Sequence, residues 1–342
     1  MTRKTKRLIL HIGVEKTGTT SLQQSLCEST SLLKSLDIGY PNSLRQRPDY
    51  SHKLLAAAFV PFKRRSFVHA ENRGINSADL LESLSAELRA KKASTVIISS
   101  EHLHSRFHSE SECVGLVRAL ADVGLNDITL VVYLRRQDQL IQAAYREAVR
   151  WGFSDSPEAV VANIESRRGL FGFANYEVLL KRWSAAVGKE NIVPRIYDRD
   201  LLSGGSTELD FMTWLRPGAD IASLRRPEAN QSWSAEVTQY IARINATWKD
   251  KPLHTALLKR NKLAKDLGQL QGVGGKHIFT PEERRSIREA FATSNAKVAA
   301  DFFPDAEGGL FGSTAPDSQA AAHRLDDARF DEITAALPAP RA

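Results

Sequence analysis

The chain has 342 residues, 42 % apolar and 25 % charged, a balance that builds a globular core and excludes a disordered or collagen-like polymer. Its net charge of +7 suits an anionic ligand without requiring nucleic acid, because the positive charge is dispersed in short runs such as Lys63–Arg65 and Arg225–Arg226. Two cysteines, Cys27 and Cys113, give neither a disulfide framework nor a zinc spacing, and no stretch reaches the roughly 20 apolar residues of a membrane span.

The first element is an apolar strand, Leu8–Ile12. Basic residues precede it, but the run is too short for a signal peptide and lacks a small-residue cleavage site, so a soluble cytoplasmic protein is expected. A helical pattern follows around Ser21–Leu36, and another at Ala78–Ala90. Strand-like runs recur at Thr95–Ser99, Ile128–Leu134 and Ile192–Tyr197, with helices expected around Ser111–Val123, Leu140–Trp151 and Tyr176–Val187. Strands alternating with helices predict an α/β fold, a doubly wound parallel sheet flanked by helices. From Ser234 the pattern turns helical, at Ala235–Trp248, His254–Leu267 and Pro281–Ala300, with a mobile-looking glycine loop at Gly272–Lys276. No linker divides the chain, which predicts a single domain over 1–312. Residues 313–342 read as a tail, flexible or carrying one loosely docked helix.

The strand Leu8–Ile12 runs into Gly13-Val-Glu-Lys16-Thr-Gly18-Thr-Thr-Ser21. Gly13 and Gly18 keep the G-x-x-x-x-G frame whose backbone N–H groups and following helix cradle an anion. A nucleotide triphosphatase places Lys directly after the second glycine. Here that slot holds Thr19, and the only lysine of the loop is Lys16. The frame predicts phosphate binding, and the displaced lysine argues against ATP hydrolysis. Neither Thr95–Ser99 nor Ile128–Leu134 ends in a magnesium-binding Asp; Asp198, after the last strand, is the one residue that could restore a triphosphatase reading.

Lys16-Thr-Gly-Thr-Thr-Ser21 after a strand resembles the 5′-phosphosulfate loop of the PAPS-dependent sulfotransferases. Residues 11–23 follow the His-Ile-Gly-x-x-Lys-Thr-Gly-Thr-Thr-Ser-Leu-Gln pattern of their bacterial carbohydrate-type branch. Further similarity lies at Ser99-Ser-Glu-His102, Tyr133-Leu-Arg-Arg-Gln-Asp138 and Asn230-Gln-Ser-Trp-Ser234, so the resemblance extends over roughly residues 7–300. It implies PAPS as co-substrate, with Lys16 on the bridging oxygen between sulfate and 5′-phosphate. It further implies that N–H groups of Thr17, Gly18, Thr19, Thr20 and Ser21, and the four hydroxyls among them, hold the 5′-phosphate. Arg135 matches the Arg that binds the 3′-phosphate, whereas the partner serine eight residues on is replaced by Ala143. Lys276 is a candidate for a late basic loop closing over the same phosphate, and Arg136 is expected to cap a helix or pair with Asp138. No metal is called for: a sulfuryl group carries one negative charge where a terminal phosphoryl carries about two, the charge for which phosphoryl transfer recruits Mg²⁺.

A hydroxyl acceptor must lose its proton as it attacks, and Ser99-Ser-Glu-His-Leu-His104 offers three bases at one strand end. Glu101 leads, matching the Ser-Ser-Glu of the related branch, with His102 and His104 as alternatives; His11, inside the first strand, reads as a core histidine. The expected activity is sulfuryl transfer to a small-molecule or glycan acceptor. A kinase or triphosphatase, or a non-catalytic nucleotide-binding protein, is the competing reading. The acceptor and the oligomeric state are not encoded in any motif.

Overall fold

Residues Leu8, Ile9 and Leu10 carry no side chain that tolerates water, and the sheet forms around them: all three are fully buried. The computed structural model describes residues 6–164, 166, 171–228, 232–248, 253–312 and 320–337. Asn230 and Gln231 of the Asn-Gln-Ser-Trp-Ser segment lie outside them, as do 313–319 and 338–342 of the expected tail. In chain order the elements begin with β1 (Arg7–His11), α1 (Thr19–Glu28), α2 (Thr30–Ser35), β2 (Ile38–Gly39), α3 (Lys53–Phe59), α4 (Ser77–Ala90) and β3 (Thr95–Ser99). There follow α5 (His102–Ser105), α6 (Glu110–Asp122), β4 (Asp127–Leu134), α7 (Gln137–Arg150), α8 (Pro157–Ala162), α9 (Tyr176–Val187), β5 (Ile192–Ile196) and α10 (Thr207–Leu215). The last five are α11 (Ala235–Thr247), α12 (Leu253–Gly268), α13 (Pro281–Ala290), α14 (Ala292–Phe302) and α15 (Asp327–Ala336).

The chain packs as two units, Met1–Arg135 with Tyr176–Ala229, and Arg136–Asn175 with Asn230–Ala342. The first holds the sheet, parallel throughout in the order β2-β3-β1-β4-β5. Strand β1 sits between β3 and β4, with Leu10 opposite both Ile98 and Leu130. The connections therefore diverge at β1, and the carboxyl ends of β1, β3 and β4 border the crevice where such sheets bind ligands. Pro194 falls within β5, tolerated there because β5 is an edge strand and one of its N–H rows needs no partner. Leu22 and Leu26 of α1 pack with Ile9, Ile97 and Val131 of the sheet and Phe211 of α10, and each buried leucine contributes roughly 1.5–3 kcal/mol.

Helix starts follow local chemistry. The Ser109 hydroxyl accepts from Glu112 N–H while Glu112 returns the bond, a capping box that begins α6. The Ser206 hydroxyl accepts from Leu209 N–H and begins α10, a helix with no strong apolar period in the sequence. The continuous helix expected over Ser21–Leu36 breaks at Ser29, whose hydroxyl accepts from Arg225 N–H at 2.8 Å.

In the second unit, Thr280 and Glu283 form another capping box, with Pro281 at the first position of α13. Phe291 separates α13 from α14 where one helix was expected. The Gly272–Lys276 loop is stitched down rather than loose: Ala235 and Glu236 N–H donate to the Gly275 and Gly274 carbonyls, and Gly274 N–H to Glu236. Arg146 donates to the Lys276 carbonyl at 2.6 Å. In the tail, α15 docks through Arg329 on Glu236 at 2.9 Å and Phe330 stacked on Tyr240.

Candidate active site

Lys276 belongs to the second unit, whereas the residues of the β1 loop, Glu101, His102, His104 and Arg135 belong to the first, at the ends of β1, β3 and β4. After β1 the backbone takes positive φ at Gly13 (107°), Lys16 (65°) and Gly18 (76°). For lysine that conformation costs roughly 1–2 kcal/mol, strain of the kind held where a loop must shape a concavity. Gly13 is required by space as well: a Cβ there would come within 3.3 Å of the Glu101 Cα. The close approach sets the end of β3 directly against the loop.

Gly18 is the N-cap of α1 in the left-handed region, and no side chain caps that helix start. Its first N–H groups therefore have no intrahelical or capping side-chain partner, a donor set that favours an anion. The hydroxyls divide into two pairs. Thr17 is fully buried and donates to the Val14 carbonyl at 2.7 Å, bracing the loop from within. Ser21 donates to Glu208 Oε2 at 3.0 Å. Among the described residues the Thr19 and Thr20 hydroxyls have no such engagement.

Arg135, at the end of β4, donates from Nη1 to the Lys16 carbonyl at 2.7 Å and lies over the Tyr197 ring, 5.2 Å from its centroid. Its backbone is pinned at both ends by one side chain: Tyr176 Oη donates to the Arg135 carbonyl at 2.5 Å and accepts from its N–H at 3.2 Å. The neighbouring Arg136 belongs to the second unit and is absorbed structurally, in a bidentate pair with the buried Asp138 at 2.8 and 3.1 Å. Arg288 reaches the same carboxylate at 3.1 Å.

The three candidate bases have different surroundings. Glu101 is half-buried, and its Oε2 accepts from Gln23 Nε2 at 2.7 Å. His102 stacks on Phe67 with centroids 4.1 Å apart, and burial pushes its pKa below the ordinary histidine value against the pull of Glu101 and Glu15. His104 is 2 % exposed and accepts the Glu15 N–H at Nδ1 over 3.4 Å, which ties it to the loop after β1. His11 is a core histidine as expected. Its Nδ1 lies 2.8 Å from Ser99 Oγ, its ring meets Tyr133 and Phe211 edge-on, and burial lowers its pKa to about 3, so it is neutral. Asp198 takes the Asp200 N–H on its own Oδ1 in the turn after β5. Among the described residues no group of three or more His, Cys, Asp or Glu side chains is placed to hold a metal ion, and no helix is long and apolar enough to cross a membrane.

No protein-family model matches the chain. A curated relative, an uncharacterized protein of Archaeoglobus fulgidus, is 33 % identical over 176 residues. That match covers 51 % of this chain and 45 % of the relative, so the chain spans less than half of the relative's length. Among solved structures, a sulfotransferase from Alicyclobacillus acidocaldarius aligns over 86 % of this chain and 95 % of its own, at 14 % identity and a TM-score of 0.44.

Several residues that shape the loop carried no functional signal. Thr207 Oγ1 donates to the Thr17 carbonyl at 2.9 Å, and Glu208 beside it takes the Ser21 hydroxyl. Both open α10, almost two hundred residues downstream, and only the Ser206 cap marks that helix start in sequence. Gln23 stands in the motif over residues 11–23, yet its contact with Glu101 requires β1 and β3 to be neighbours.

Proposed function

We propose that the chain is a sulfotransferase that moves a sulfuryl group from PAPS to a hydroxyl acceptor, a glycan or related metabolite, by in-line displacement. One observation carries the reading. The loop after β1, left-handed at Lys16 and Gly18, leads into a helix start without a side-chain cap and packs at Gly13 against Glu101. It thus combines an anion cradle, a single lysine before the second glycine and a carboxylate base on adjoining strand ends.

In this assignment the N–H groups of Thr17 to Ser21 and the hydroxyls of Thr19 and Thr20 take the 5′-phosphate. Lys16 faces the bridging oxygen, where charge builds as the S–O bond breaks, and so acts on the transition state more than on the ground state. Arg135 takes the 3′-phosphate with donors beyond the one on the Lys16 carbonyl, since a guanidinium has five N–H groups. Glu101 receives the acceptor's proton as the new O–S bond forms, and the electron pair of the broken bond leaves on the 5′-phosphate of PAP.

Thermal shift with PAP, ADP and Mg-ATP tests the reading, since a ligand at a hundredfold excess over Kd raises stability by about 2.7 kcal/mol. PAP is expected to raise the melting temperature more than ADP, with EDTA without effect. Equal or greater stabilisation by Mg-ATP sinks the assignment in favour of a kinase.

A further inference from the structure

Behind Glu101 runs a buried polar chain that the anion loop does not need. Gln23, on the sheet side of α1, is 2 % exposed. Its Nε2 donates to Glu101 Oε2 at 2.7 Å and to Ser99 Oγ at 3.2 Å. Ser99 is fully buried at the end of β3, and its hydroxyl lies 2.8 Å from Nδ1 of the fully buried His11 in β1. One polar chain thus runs from His11 of β1 through Ser99 of β3 and Gln23 of α1 to a single oxygen of Glu101.

The amide can serve only one way round. Turned over, its carbonyl oxygen would face the Glu101 carboxylate, two acceptors with no proton between them. Orientation of the Gln23 amide is thus fixed by the carboxylate and by Ser99, and the backbone of Glu101 is fixed by the tight approach of Gly13. Anchoring Oε2 leaves Oε1 as the oxygen available to a substrate.

We propose that Gln23 is a positioning residue for the reaction: it clamps Oε2 of Glu101 so that Oε1 is presented to the acceptor hydroxyl beside the loop. The inference rests on the reading of Glu101 as the base. A general base works only within hydrogen-bond reach and in line with the proton it takes, so a carboxylate free to rotate about its last torsion loses rate without losing ligand affinity.

Two measurements test it. The first needs no acceptor: with glutamine side chains labelled with ¹⁵N, the Gln23 amide resonances, assigned by their disappearance in Gln23→Met, are followed across a pH titration. They are expected to move in one carboxylate step that vanishes in Glu101→Gln; resonances that move alike in both proteins overturn the clamp. The second measures PAP released from PAPS, with sugar and phenol hydroxyls offered together, for Gln23→Met, Gln23→Glu, Glu101→Gln and the Gln23→Met/Glu101→Gln pair. Both Gln23 variants are expected to keep PAP affinity within about twofold while losing about 10²-fold in turnover. Gln23→Met should add nothing further to Glu101→Gln, because a clamp has no function without the group it holds. Normal turnover in Gln23→Met with a dead Glu101→Gln overturns the clamp and leaves the base standing. Normal turnover in Glu101→Gln overturns both.

Discussion

Replacing Gly18 by Ala tests whether α10 shapes the loop between β1 and α1. The native φ of 76° lies in the left-handed region, which costs an L-residue about 1–2 kcal/mol. A Cβ at Gly18 would also overlap Thr207 Oγ1 and come within 3.1 Å of the Thr207 Cβ, overpacking that costs roughly 1–3 kcal/mol. The two terms together predict a loss of about 2–5 kcal/mol in urea unfolding. Thr207→Ala alone removes the bond to the Thr17 carbonyl and should cost about 1 kcal/mol. The informative protein is the double variant. It keeps the backbone strain and the approach to the residue-207 Cβ but no longer has the overlap with Oγ1, so it should be more stable than the sum of the single losses by about 1–2 kcal/mol. The PAP-induced melting shift should disappear in Gly18→Ala and return in part in the double variant. Additive losses would mean that Thr207 does not occupy the space above Gly18, and the buttress argument fails.

Lys16→Ala should lower turnover strongly and weaken PAPS binding somewhat, whereas Glu101→Gln should cut turnover by roughly 10²–10⁴ with PAP affinity intact; isothermal titration beside a PAP-release assay separates the two. His52 is buried, accepts the Ser99 N–H on Nδ1 and faces the Pro41 carbonyl with Nε2, and burial lowers its pKa to about 3. Being neutral when folded, it should make stability fall as pH drops from about 6.5 towards 3, by about 1.4 kcal/mol per unit, and unfolding at pH 7, 6 and 5 should show a correspondingly shallower slope in His52→Asn. Asp210 holds Arg195 at 2.6 and 2.8 Å and accepts the Tyr133 hydroxyl at 2.7 Å. Asp210→Asn should cost about 2–4 kcal/mol, less than a sealed ion pair because a quarter of Arg195 meets water, and an unchanged urea midpoint would contradict that.

The sheet was legible because its inner strands are continuous apolar runs bounded by polar residues. Thr95–Ser99 lies where the pattern put it; β1 begins and ends one residue earlier than expected, β4 begins one residue earlier and β5 ends one residue earlier. Strand β2 was missed since two residues, Ile38–Gly39, have no period to read. Helix α10 was missed because its buried face includes Glu208 and Asp210, which read as surface until their partners Ser21 and Arg195 are in place. The glycine loop between β1 and α1 was legible as a local motif, yet the division of its hydroxyls was not. Thr17 and Ser21 look alike in sequence to Thr19 and Thr20, and only the Val14 carbonyl and Glu208 distinguish them. The long helix expected over Ser21–Leu36 failed at Ser29 for a similar reason, its hydroxyl being drawn to a backbone N–H at residue 225.

The loop between β1 and α1 is shaped by parts of the chain that are synthesised long after it. The Lys16 carbonyl is held from 119 residues downstream, the Ser21 hydroxyl from 187 and the Thr17 carbonyl from 190. A nascent chain that has exposed only its first two hundred residues contains the whole glycine motif but not the two side chains of α10 that seat it. In the proposed assignment, capture of the nucleotide has to wait for α10. C-terminal truncations that stop before residue 207 should yield chains with the motif intact and no affinity for PAP.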